Sequence, residues 1–223
     1  MKGDFWSKSD EALAADVVER FRRWPWSQYD GVADAEPRRV TLLDGLVSAV
    51  LESHFVYGNS TNDWPSFVHS LMGPTTELLD RFGPDVELWA DTPKTRDAVE
   101  ALTQLVLLTE PVHHWGPEKL TKVLHRKRPR LVPILAPCVV RRYQPPPRDR
   151  AEKHDELVAA CEALILFREE TARHLARLEE IVRRAAAQDP ALAPMTPVRC
   201  LDALVYWHEA RHAATGWKSD DWA

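Results

Sequence analysis

The chain has 223 residues, 44% of them hydrophobic, and a formal net charge of −5, enough to bury a full core as one domain or as a domain with a helical extension. No apolar run is long enough to span a bilayer, and the opening MKGDFWSKSDEA lacks the apolar centre of a signal peptide, so no membrane is expected. Cys138, Cys161 and Cys200 are widely spaced and form no CxxC, which excludes a disulfide framework or zinc knuckle and places the chain in a reducing compartment, the cytoplasm.

The apolar spacing is helical from end to end. Ser9 caps a helix in which Leu13, Val17, Phe21 and Trp24 recur on one face, and Pro25 ends it. Thr41 and Asp44 make a capping-box-like start to a second helix that Gly58 closes. Shorter helices fall at Pro65–Met72 and Thr75–Phe82, punctuated by Gly73-Pro74 and Gly83-Pro84. Thr92-Pro93 starts a helix that runs to about Glu110. Gly116-Pro117 opens a basic helix, with Pro at the first helical position. A Pro-punctuated apolar connection and the start of another helix carry the chain to Tyr143.

Gln144-Pro145-Pro146-Pro147 is a stiff break. Beyond it, Leu157, Cys161, Leu164, Arg168, Thr171, Leu175, Leu178 and Val182 form one stripe on a long helix, roughly 152–187. A last helix starts at Thr196-Pro197 and runs to about Thr215. There is no β-alternation and no internal repeat, so the expected fold is all-α. Residues 1–143 form a helical domain with a hairpin motif at about 93–143. Residues 144–148 are the break, and 149–223 hold two C-terminal helices packing back on the same domain.

Charge is unevenly placed. Lys119–Arg148 carries nine Lys or Arg and no Asp or Glu, so the rest of the chain is near −14. Such a segment suits the phosphate backbone of DNA, where cations release counterions. The same residues would also serve as a solvated loop at a helix C-terminus, where cations are favoured. His113 and His114 could be ligands or phosphate contacts, or merely solvated. Of the nine Trp, mostly core or edge by spacing, Trp115 stands at a hairpin tip, where it could stack on a base or plug the hairpin. His208-Glu209-Ala210-Arg211-His212 matches HExxH, in which two His one turn apart chelate zinc and the Glu acts as base. Against zinc, only eleven residues follow His212, and Leu201, Leu204, Val205, His208 and His212 share a stripe that reads as a packed face.

The segment PVHHWGPEKLTKVLHRKRPRLVPILAPCVVRRY, Pro111–Tyr143, resembles the nucleic-acid-contacting part of helix-hairpin-helix DNA glycosylases. It resembles still more closely an uncharacterised bacterial family with the signature GxGPxxxxKLLxRKRPRLIPxxD. RRVTLLDGLVSAVLE and TPVRCLDALVYW look like that family's flanking helices. The resemblance implies a glycosylase-like helical domain with a long helix near the C-terminus. It also implies an Asp that stabilises a cationic sugar or activates water, and here that position is Ala136. The nucleophilic Lys of bifunctional members falls on Glu118, and the first hairpin Gly on His114.

A non-catalytic protein is therefore expected, one that binds DNA through its phosphates or binds a protein partner, with no cofactor and no catalytic residue. Its nucleic-acid contacts would be His114, Trp115, Gly116, Lys119, Lys122, Arg126, Lys127, Arg128 and Arg130. Two alternatives stand beside it. One is a base-excision glycosylase using a carboxylate from elsewhere, such as Glu110 or Asp97. The other is a zinc-dependent hydrolase built on His208, Glu209 and His212.

Overall fold

A capping side chain or a first-position proline fixes most of the helix starts. Ser9 Oγ accepts the Ala12 amide at 3.3 Å and opens α1, Asp10–Arg23. Thr41 opens α2, Leu42–Val50, with its own amide and hydroxyl donating to Asp44 Oδ2 at 2.7 and 2.9 Å. This joins the N-cap to the third helical residue, as in a capping box. Thr92 Oγ1 accepts the Thr95 amide at 3.1 Å ahead of α5, Pro93–Leu107. Thr196 Oγ1 accepts the Arg199 amide at 3.1 Å ahead of α10, Pro197–Ala213. Two further helices start on proline: α6, Pro117–Lys127, and α7, Pro137–Tyr143. The remaining helices are α3, Ser60–Ser70; α4, Met72–Arg81; α8, Lys153–Arg173; and α9, Leu175–Gln188.

The structure is a computed structural model that describes residues 5–23, 29, 36–50, 60–112, 115–144 and 153–213, and of 48–50, 60–63, 153 and 210–213 the backbone only. Among the described residues every regular element is helical, so the fold is all-α. None of these helices is long and apolar enough to cross a membrane. The expected ends at Pro25 and Gly58, the triple proline, and the His113, His114 and His212 side chains lie outside the described residues.

The N- and C-terminal regions pack together: α1 lies against α9 and α10, which also touch each other. Helix α7 is held between α8 and α10, and α8 lies along α5. In the middle of the chain α2 packs on α6, α3 on α4, and α4 on α5. Leu13, Val17 and Phe21 of α1 and Leu157, Cys161, Leu164, Thr171 and Leu178 of the C-terminal stripe are buried, as their spacing implies.

Two expectations change. Pro65 lies inside α3 rather than at its start, and Gly73-Pro74 sits in the first turn of α4 rather than between two helices. A first-turn proline costs α4 nothing, because the amide it lacks has no partner there. The single long helix over 152–187 is two helices that meet at His174, whose backbone leaves the helical region at φ −110°, ψ 16°. Just before the bend, Thr171 Oγ1 donates to the Phe167 carbonyl one turn back at 2.8 Å, a bond that bends helices. The Trp6 ring stacks on His174, with centroids 4.0 Å apart. Its indole N–H donates to Glu170 at 2.5 Å, so the N-terminal turn braces the bend.

Candidate functional site

The basic run turns inward. Helix α6 ends at Lys127 because Pro129 follows, and an apolar stretch, Leu131–Ala136, then passes through the core. That path puts Arg126, Lys127 and Arg128 between α2 and the end of α4. Lys127, whose side chain is 0% exposed, pairs with Asp44 at 2.9 Å and donates to the Glu36 carbonyl at 3.0 Å. Arg126 reaches Asp44 at 3.3 Å and the Tyr29 carbonyl at 2.8 Å. Arg128 is buried, and its guanidinium donates to the carbonyls of Phe82 at 2.5 Å, Pro37 at 2.8 Å, Lys127 at 2.7 Å and Leu79. Planar, pre-organised donors suit this fan of carbonyls as they suit a phosphate.

Burial pushes the Asp44 carboxyl up, but the hydrogen bonds from Lys127 and Thr41 and the Lys127 charge outweigh it, and its pKa lies below the ordinary value. Asp44 therefore stays ionised and holds two buried cations. Such pairing is what a charge needs once it leaves water.

The other expected contacts divide between interior and surface. Trp115 is buried, its ring centroid 4.5 Å from that of Phe67, so it plugs the core. Gly116 caps α6 in an extended conformation, φ −146°, with nothing within 4 Å of an added Cβ, so the backbone there does not require glycine. Lys122 is buried and pairs with Glu118 one turn earlier at 2.8 Å. Lys119 is half-buried. Arg130 is exposed, bonded to Glu87 and 5.6 Å over the Trp89 ring. Of the site residues expected from sequence, Arg126, Lys127 and Arg128 are thus brought together, but around Asp44 and backbone carbonyls. The carboxylates considered as substitutes are elsewhere on the surface: Asp97 pairs with Arg81, and Glu110 lies 3.3 Å from His154.

Ala136 is buried and caps α7 without a side-chain bond. Around this turn the structure gathers a polar cluster that sequence reading missed. Arg20 of α1 lies 3.8 Å from the Tyr206 ring centroid. Arg199 and Asp202 of α10 pair at 2.6 Å. The charges of Asp202, Glu118, Arg141 and Arg20 all act on the Cys138 thiol, and burial with the two carboxylates raises its pKa. Burial raises the pKa of Tyr206 and lowers that of Arg20 to about 10. Glu118, Arg141, Tyr206 and Glu209 are half-buried, so the cluster reaches the surface. Shifted, interacting ionisable groups of this kind are a usual mark of functional sites, though ion-pair networks also produce them. The available signal was a charge at a core-facing helical position: Arg20 beside Phe21, and Asp202 between Leu201 and Leu204.

The HExxH helix presents its first two members to different surroundings. His208 Nε2 lies 3.4 Å from Asp16 Oδ2, and its ring stacks on Phe5 at 4.9 Å. Asp16 also accepts from Lys8 at 2.7 Å and from the Trp207 indole at 3.0 Å. Burial and the Lys8 charge lower the His208 pKa. Glu209 instead acts on Arg141 of α7. Among the described residues no group of three or more His, Cys, Asp or Glu is placed to hold a metal ion.

A family model, described only as that of a family of unknown function, matches residues 12–210. No curated protein and no solved structure matches the chain.

Proposed function

The chain belongs to the DUF6308 family, and we propose that it is a non-catalytic binding protein whose partner is a protein rather than a nucleic acid. The observation that carries this reading is the direction of the basic run: Lys122, Lys127 and Arg128 are 2–4% exposed and bind Glu118, Asp44 and backbone carbonyls. Affinity for a phosphate backbone grows with the number of phosphates that surface cations neutralise, and cations inside a core neutralise none. The cluster around Tyr206 supports the same choice. At its half-buried edge Arg141 stands with Glu118 and Glu209. Mixed charge of this kind suits a protein surface of complementary pattern better than a polyanion.

The test is fluorescence anisotropy with labelled single- and double-stranded oligonucleotides at about 50 mM salt, a condition that favours any phosphate-backbone binding. The expected result is no saturable binding at micromolar protein. Tight, salt-sensitive binding weakened by Lys119→Glu or Arg130→Glu would overturn the reading.

Base excision with a substitute carboxylate has one observation in its favour. Glu118 is half-buried, paired with Lys122, and close enough to act on Cys138, two residues after Ala136. Under that reading the unmodified protein releases a damaged base in single turnover and Glu118→Gln does not. The non-catalytic reading expects no release from either.

A further inference from the structure

No further inference is drawn: the strongest candidate, the exposed apolar turn of α2 carrying Leu42, Leu43 and Leu46, is a helix face without a partner among the described residues, and nothing in the structure shows what covers it.

Discussion

His125 sits where an imidazolium would be costly. Its Nδ1 lies 2.6 Å from the Val132 carbonyl, which can only accept, so Nδ1 carries the proton of a neutral ring. Burial, then the nearby Arg199 charge, lower its pKa from 6.5 to about 3. The unfolded chain therefore takes up this proton near pH 6.5 and the folded chain only near pH 3. Stability from this group is complete above pH 6.5 and is lost progressively as pH falls toward 3. Between pH 6.5 and pH 5 the loss is about 2 kcal/mol. Urea midpoints measured across that range should fall with acidity in the unmodified protein and fall much less in His125→Gln, whatever the variant's absolute stability. Equal slopes would contradict the account. The residue alone gave little notice of this role. A His three positions after Lys122 in a basic helix reads as solvated, and only the return of the chain at Val132 encloses it.

At the scale of elements, most helix starts were legible because their signals are local, but those of α3 and α4 were not. A hydroxyl at the N-cap or a proline at the first position acts within one turn, and Ser9, Thr41, Thr92, Pro117 and Thr196 each do so. Interruptions were less legible. The bend at His174 is braced by Trp6, far away in sequence, and no local pattern announces a contact of that range. Packing between helices can also reverse a local preference. Gly45 stands in α2, where alanine would ordinarily gain about 1 kcal/mol. A Cβ there would meet Trp64 Cζ3 at 3.0 Å. That ring is braced in turn: Trp64 stacks on Phe67 at 5.2 Å, and Phe67 lies against Trp115. Gly45→Ala should therefore lower the urea midpoint, and Trp64→Leu in the same chain should recover part of the loss. A plainly stabilised Gly45→Ala would show that the α2–α3 contact is looser than described.

For the whole molecule, the inference from sequence that failed to fix a direction was the one from charge. Nine cations without an anion between Lys119 and Arg148 mark an electrostatic feature, but a local count cannot see counterions elsewhere in the chain. Asp44 lies 83 residues before Lys127, and the Pro37 carbonyl 91 before Arg128. Composition located the segment; the fold decided that its centre faces inward and ties α2 and the end of α4 to α6. Arg20 shows the converse: it is one charge on an apolar stripe, and only the meeting of α1 with α10 sets it over the Tyr206 ring, whereas Arg199 and Asp202 pair within α10 itself. The central claim is that this run is an internal brace, and Arg128→Lys tests it most directly. A surface phosphate contact largely survives exchange of one cation for another, because the charge remains. A buried guanidinium bonded to the carbonyls of Phe82, Pro37, Lys127 and Leu79 does not, because an ammonium cannot reach a planar fan and leaves buried acceptors unmatched. Unfolding in urea should show Arg128→Lys less stable by about 2 kcal/mol or more, each stranded group costing about 1–3 kcal/mol. Stability equal to that of the unmodified protein would contradict the account.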